Sequence, residues 1–237
     1  MPHDLEIALS SPFQKIYNDI ASSYELVNHV MTGGLDFYWR KKAAGIATSN
    51  GGSRWLDVCS GTGDMLRNLD RLAGPEVRLH AADFSMSMLS VAKDKSINEA
   101  SFCLANVDSL PYADNSFDLA TVSFATRNLN QSREILTKRF AEIHRVLKPG
   151  GRFMNLETSQ PPSSIIRVIF NMYVAVVVKP VGRFISGKES GYAYLAKSIG
   201  CFYGADELRE ILKDAGFSSV DYERFTFGAV AAHVAVK

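Results

Sequence analysis

Cysteine is scarce in this chain, and net charge is almost absent. The three cysteines, Cys59, Cys103 and Cys201, are far apart and form no CxxC pair. That excludes a disulfide framework and a cysteine zinc cluster, and each cysteine is expected to be a small buried apolar residue in a reducing compartment. With 26 basic and 25 acidic side chains the net charge is +1, so the broad basic footprint of a nucleic-acid binder is missing. Long apolar runs are missing too. The most apolar window, residues 165–178, is broken by Arg167 and Asn171 and is too short for the ~20 residues that a membrane span needs. It reads either as an ordinary buried helix or as a segment that lies at a lipid surface or lines an apolar channel. The N-terminus has no basic flank followed by an apolar stretch, so a cytoplasmic location without a signal peptide is expected. Internal repeats and low-complexity tracts are also absent.

What remains is an ordinary globular composition, with 46% hydrophobic and 22% charged residues over 237 positions, the size of one large domain. Strand-like and helix-like patterns alternate through its middle. Residues 54–59 form an apolar run that ends in a glycine-rich turn. Helical spacing follows over 64–72, a strand over 77–82, and a helix over 86–95 with Ser85 as its N-cap. Strands are expected over 101–105 and 117–124, and a long helix over 132–147. Lys148-Pro-Gly-Gly151 stops that helix, and a fifth strand follows over 152–157. Such alternation implies a parallel sheet covered by helices on both faces. After a helix over 206–215, strands over 220–225 and 229–236 are joined by a short turn and must be antiparallel. Residues 1–50 precede this core and 158–205 interrupt it, so both are candidate substrate walls.

The first strand ends in Asp57-Val-Cys-Ser-Gly-Thr-Gly63. Glycines there let the backbone turn tightly beside a ligand, and the following helix offers free N–H groups. Cys59 occupies the place of the first glycine in a GxGxG pattern. The second strand ends in Asp83, twenty residues on, where a carboxylate can accept both hydroxyls of an adenosyl ribose. The third leads into Asn106 and Val107, where a polar side chain can meet the adenine amine. The fourth ends in Ser123-Phe124 beside the same ligand. Each residue alone is explained as well by a cap or a turn; four strand ends in order argue for one site.

LDVCSGTGD (56–64), AADFSMSML (81–89), the run from Ala105 to Asn128 and the run from Glu142 to Pro161 resemble the class I S-adenosylmethionine-dependent methyltransferases. Residues 13–28, 31–36 and 39–42, the SFATRN segment and residues 191–199 narrow this to a resemblance to the family that C-methylates the ring in menaquinone and ubiquinone biosynthesis. The chain departs from that pattern at Gln14 and Glu25, which stand where the family has aspartates, and at Cys201-Phe-Tyr-Gly-Ala before the last helix.

The resemblance implies an α/β, Rossmann-like class I fold. Its sheet would be seven-stranded and mostly parallel with an antiparallel last strand, preceded by N-terminal helices and carrying a helical insertion before the last helix. It implies one domain: a helical cap over 1–50, a cofactor core over 51–157, a lid insertion over 158–205, and a C-terminal helix and hairpin over 206–237. Asp57, Ser60, Gly61, Thr62, Gly63, Asp83, Phe84, Asn106, Val107 and Ser123 would hold S-adenosylmethionine, with no metal. The acceptor would be a small prenylated quinol, with another small phenolic, lipid or amine substrate, or a non-catalytic scaffold of a quinone-synthesis complex, as the alternatives; peripheral membrane contact and a homodimer stay open. A phenolic ring is a poor carbon nucleophile until a hydroxyl ionises, so the site needs a proton acceptor or a cation for the phenolate. Arg127 follows the fourth strand and keeps its proton, so it is expected to stabilise that anion, with a surface salt bridge as the alternative. Tyr24, Asn28, Tyr192 and Tyr194 are candidate contacts to the ring oxygens. His29 and His233 are candidate proton acceptors, and His144 is expected to be structural.

Overall fold

The computed structural model describes residues 25–95, 97, 100–178 and 198–237. Seven strands form one sheet: β1 (Arg54–Val58), β2 (Arg78–Asp83), β3 (Ser101–Leu104), β4 (Phe117–Ser123), β5 (Leu147–Thr158), β6 (Ser219–Phe225) and β7 (Val230–Val236). Their order is β3-β2-β1-β4-β5-β7-β6. The first five run parallel, whereas β7 is antiparallel to both β5 and β6. The alternating pattern implied the parallel part of this sheet, and the resemblance implied its seven strands and antiparallel end. Strand order reverses between β1 and β4, and their carboxyl ends open the crevice where such sheets bind ligands.

The helices are α1 (Leu35–Ala47), α2 (Asp64–Asp70), α3 (Met86–Asp94), α4 (Thr126–Leu129), α5 (Arg133–Val146), α6 (Ser164–Tyr173) and α7 (Ala205–Asp214). Residues 25–32 are also helical. Ser85 and Ser132 cap α3 and α5 through their side chains, accepting from the N–H groups of Met88 and Ile135 at 3.2 Å each. On α5 the buried residues Leu136, Phe140 and Ile143 recur at helical spacing, and with Leu208, Ile211 and Phe217 they cover one face of the sheet. Trp39, Ala43, Leu66 and Leu69 of α1 and α2 cover the other face, against Leu119, Met154 and Ala232. The result is three layers with a fully buried sheet interior; Phe117, Phe140 and Phe153 have no exposed surface. Truncating any of the three to alanine should cost about 3–5 kcal/mol.

Three expectations need correction. Of the cysteines expected to be buried, Cys201 is exposed and Cys59 and Cys103 are only partly buried. The long helix does end at Val146, but Lys148-Pro-Gly-Gly151 is not a turn ahead of the fifth strand; it lies within β5. Phe117 pairs with Leu147 and Leu119 with Arg152, so the extra residues are taken up as a bulge. Gly150 adopts φ +74°, and a Cβ on Gly151 would lie 2.8 Å from the Lys148 carbonyl, which is why glycine stands at both positions. The reading of residues 165–178 as a buried helix also fails. None of α6 is buried, and Ile165, Val168, Ile169 and Met172 are each more than half exposed.

Candidate functional site

After Val58 the chain enters the left-handed region at Cys59 (φ +55°), Gly61 (φ +53°) and Gly63 (φ +82°), then starts α2. Cysteine at the first of these positions bears a backbone conformation that glycine adopts freely. A Cβ on Gly63 would touch the Cβ of Ala92 at 3.0 Å, so this glycine serves the packing of the turn against α3. A Cβ on Gly61 would meet nothing within 4 Å, so the space above it is open.

Asp83 closes the turn from the side. Its Oδ2 accepts from the Gly61 N–H at 2.8 Å and its Oδ1 from the Ser85 N–H at 2.9 Å. Burial pushes its carboxyl up to about 6, against those backbone N–H groups. Asp57 lies beneath, accepting from the Thr121 hydroxyl at 2.6 Å, and burial pushes it up to about 7. The hydroxyls of Ser60, at the turn, and Ser123, at the end of β4, are buried and meet no hydrogen-bond partner among the described residues. An open space over a glycine, a buried carboxylate and two unpaired hydroxyls at adjoining strand ends suit a polar ligand of nucleoside size. Thr62 is buried within the turn and Phe84 follows Asp83, half-buried. Asn106 shapes its own turn, its Oδ1 accepting from the Asp108 N–H at 3.0 Å, and Val107 is packed in the core. Asp108 is in turn gripped by Arg139 at 2.6 and 3.1 Å.

Beyond β4 the wall changes character. Phe124 sits at φ +55° and is followed by α4, a one-turn helix that the sequence did not announce. Phe124 and Arg127 border a chamber of about 540 Å³. Residues of the N-terminal segment (Asn28, Asp36, Trp39 and Arg40), of α6 (Ile166, Ile169, Phe170 and Tyr173) and of the start of β7 complete it. The chamber is mostly apolar, with two buried ion pairs. In one, Arg127 Nη1 donates to Glu157 Oε1 at 2.6 Å and the Arg127 N–H to Oε2 at 3.2 Å; the side chains are 7% and 1% exposed. In the other, Asp36 takes Arg40 Nη1, His29 Nδ1 at 2.7 Å and the Thr32 hydroxyl at 2.8 Å. The Arg40 guanidinium also stacks over the Phe124 ring, 4.9 Å from its centroid.

From Arg40 a chain of charges runs to the start of α2. Arg40 lies 4.0 Å from Asp64, and Lys95 joins Asp64 at 2.6 Å and Glu25 at 2.5 Å. Burial raises the Asp64 carboxyl, but Arg40 and Lys95 outweigh it and hold it below the usual range. Glu25, His29 and Asp64 lie close enough together for a metal ion, but the Lys95 ammonium already supplies the cation for the two carboxylates.

The sequence reading is thereby sorted. Arg127 sits at the chamber, but as one half of a buried ion pair and not a surface one. Asn28 borders the chamber; Tyr24, Tyr192 and Tyr194 lie outside the described residues. His29 orients on Asp36 and stacks on Phe37 at 3.9 Å. His233 is corrected as a proton acceptor for this site. It alternates with Val230 and Ala232, whose face meets the chamber side, so it points to the opposite face of the sheet. There its Nε2 meets the Ala205 carbonyl at 2.9 Å, and burial lowers its pKa to about 4. His144 packs edge-on against Phe217, as a structural residue would. Sequence reasoning missed Glu157, Asp36 and Arg40. An acid closing the apolar run Phe153-Met-Asn-Leu156, and an acid–base pair four residues apart on a helix, were the available signals.

Residues 7–237 match the model of the ubiE/COQ5 methyltransferase family. The ubiquinone/menaquinone biosynthesis C-methyltransferase UbiE of Pseudomonas paraeruginosa is 34% identical over 228 residues, covering 94% of this chain and 88% of the relative. Its counterpart in a Shewanella species is 34% identical over 223 residues, covering 92% and 87%. Among solved structures, the putative methyltransferase of Haloferax volcanii, in complex with the Trm112 methyltransferase activator, matches with a TM-score of 0.64 at 18% identity over 93% of this chain and 96% of that one. A Thermotoga maritima S-adenosylmethionine-dependent methyltransferase, described as a possible histamine N-methyltransferase, matches at 0.61 and 16% over 93% and 99%. These last two likenesses speak for the fold alone.

Proposed function

Because the chain belongs to the ubiE/COQ5 methyltransferase family and is an S-adenosylmethionine-dependent C-methyltransferase, we propose that it methylates a ring carbon of a prenylated quinol on the route to menaquinone, ubiquinone or both. The observation that carries this reading is the chamber at the end of β4. It is apolar enough for a prenylated aromatic ring and holds a buried guanidinium, Arg127, at its wall.

S-adenosylmethionine, when bound, supplies a methyl group on a sulfonium, open to attack by carbon. In this reading Asp83 accepts the ribose hydroxyls, as its oxygens keep acceptor capacity beyond the Gly61 and Ser85 N–H groups. The open face of Gly61 leaves room for the close approach of the ligand, and Ser60, Thr62 and Gly63 line the turn around it. Asp57 supports that turn from below. Phe84, Asn106 and Val107 flank the adenine, and the Ser123 hydroxyl faces the reacting end.

Arg127 lowers the cost of ionising the ring hydroxyl by placing fixed N–H dipoles beside the developing oxyanion, in a site shielded from water. Ionisation, with the hydroxyl proton passing to the medium, raises electron density at the neighbouring ring carbon; its bond to the methyl group forms as the methyl–sulfur bond breaks to leave a neutral thioether, and the carbon then gives its own proton to the medium, which restores the aromatic ring. Holding donor and acceptor at near-attack distance is worth several kcal/mol of the barrier. Asn28, at the chamber wall, contacts the ring oxygens.

A prenyl tail leaves the chamber past α6. That helix turns Ile166, Ile169 and Phe170 to the chamber while exposing Ile165, Val168 and Met172, and it carries no acidic residue. It lies against the surface of the bilayer that holds the substrate.

Enzyme supplied with methyl-labelled cofactor and extracted prenylated quinols, both naphthoquinol and benzoquinol, should place the label on a ring carbon. Label on oxygen, or transfer to neither class, overturns the assignment. Flotation with anionic liposomes at low salt checks the lipid contact: the protein should float, and failure to do so with activity intact on tailless quinols removes it.

A further inference from the structure

The carboxylate behind Arg127 is held more firmly than a simple counter-ion requires. Glu157 is 1% exposed, and its Oε1 takes three donors: Arg127 Nη1 at 2.6 Å, the Thr158 N–H at 2.7 Å and the Thr158 hydroxyl at 2.9 Å. Its Oε2 takes the Arg127 backbone N–H at 3.2 Å. A carboxylate has about four lone-pair sites, so this one is saturated by protein donors. The same carboxyl therefore fixes both the main chain at the start of α4 and the guanidinium that α4 carries. One residue earlier the Thr126 hydroxyl is tied to Asn155 of β5, so the carboxyl end of β5 grips this helix twice. Glu157 itself does not border the chamber, whereas Arg127 does.

We infer that Glu157 is a positioning residue of the methyl transfer: it aims the Arg127 guanidinium at the acceptor ring, and its own negative charge sets how strongly that cation favours the ionised ring. The inference rests on the role of Arg127 given under the proposed function. A lone buried arginine would be a strong site for any small anion and would hold a phenolate too firmly to release its electron density to carbon. Paired with Glu157, it offers directed N–H groups with the net charge moderated.

The surrounding charges leave this pair dominant. Across the chamber Asp36 is already neutralised by Arg40, with His29 on its outer side. On α6, burial raises the Tyr173 phenol, which stays protonated and donates to the Met31 carbonyl. In the strand row beside Glu157, His233 of β7 is kept neutral by burial. Arg224 of β6 is bound to Asp206 of α7 at 2.8 Å.

The test is the pH profile of kcat at saturating cofactor, which reports ionisation within the substrate complex. Glu157 disfavours the ring anion and Arg127 favours it. Glu157→Gln should therefore move the acid limb to lower pH by about one unit, and Arg127→Ala should move it to higher pH, since a charge within a few ångströms shifts a pKa by about 1–3 units. Glu157→Asp retains the charge but shortens the reach, so it should lower kcat several-fold with the limb in place. Cofactor affinity, measured by calorimetry, should be unchanged in both Glu157 variants and confirms that they are folded. If Glu157→Gln moves the limb upward or leaves it in place while Arg127→Ala moves it up, Glu157 is only a structural partner and this inference is overturned. If Arg127→Ala itself leaves the limb unmoved, the phenolate role of Arg127 falls first. Should Glu157→Gln fail to fold, an Asp variant with undiminished kcat still overturns the aiming role.

Discussion

The carboxyl ends of β1 and β2 and the chamber beyond β4 are built by opposite means. The first region is mostly backbone: positive-φ residues at 59, 61 and 63, N–H groups turned onto Asp83, and a glycine with open space above it. Its residues lie within about thirty positions of one another. The chamber is mostly side chain, gathered from the N-terminal segment, α4, α6 and the start of β7, and its polar groups are buried ion pairs. Backbone geometry at strand ends suits the parts of a cofactor that never change. Side chains brought in from outside the sheet suit an acceptor that differs from one methyltransferase to another. The two regions should accordingly fail separately when damaged.

The largest separate failure is expected at Arg127. In its proposed role it is a donor aimed at developing charge, so replacing it with alanine should lower single-turnover rate about 10²–10³-fold, while cofactor affinity stays near that of the native protein. Arg127→Lys should recover only part of the loss, because lysine keeps the charge without the planar fork. Near-normal turnover in the alanine variant would make the Arg127–Glu157 pair purely structural.

Asp83→Ala should act on the other region. Charge-assisted hydrogen bonds to the ribose are worth roughly 1.5–3 kcal/mol, so affinity for S-adenosylmethionine by calorimetry should fall about 10–150-fold. An unchanged affinity would remove Asp83 from the cofactor site.

The pH dependence of the same region sharpens the contrast. Burial raises the Asp83 carboxyl to about 6 and that of Asp57 to about 7. Between about pH 4 and those values the folded protein holds protons that the unfolded chain has released. Without cofactor, stability therefore falls as pH rises through that window. With ribose hydroxyls donating to the ionised Asp83, as proposed, cofactor affinity should change in the other direction, falling about fivefold between pH 6 and pH 5. Asp83→Ala should flatten that dependence, and titration calorimetry at several pH values would detect a slope that persists.

The smallest effect is expected at Cys59, where strain sits in the backbone itself. Cys59→Val puts a β-branched residue at φ +55° and should cost about 1–3 kcal/mol in thermal or denaturant unfolding, whereas Cys59→Gly should stay within about 1 kcal/mol of the native protein. Equal stability of the two variants would mean that the left-handed turn imposes no cost there.

The same contrast governs what could be read from the sequence. All seven strands, the Ser85 cap and the antiparallel end of the sheet were legible, since periodicity and local chemistry set them. Asp83 was legible because its place at a strand end follows from chain order. The bulge at Lys148–Gly151 was not, because a Pro-Gly-Gly run marks a departure from helix without telling a turn from an irregular strand. Residues 165–178 misled because an apolar helix has the same composition whether it is covered by the core or exposed. Glu157 went unseen because its partner is thirty residues away; only the parallel pairing of β4 with β5, Ser123 against Leu156, brings Arg127 beside it.

The division between the two regions is tested most directly by single-turnover methyl transfer in Asp83→Ala and Arg127→Ala, each measured over a titration of S-adenosylmethionine to saturation. The account predicts that Asp83→Ala needs far more cofactor but regains a rate near that of the native enzyme at saturation. Arg127→Ala should saturate at the native concentration with a rate about 10²–10³-fold lower. A rate that stays low at saturation in Asp83→Ala, together with weakened cofactor binding in Arg127→Ala, would contradict it.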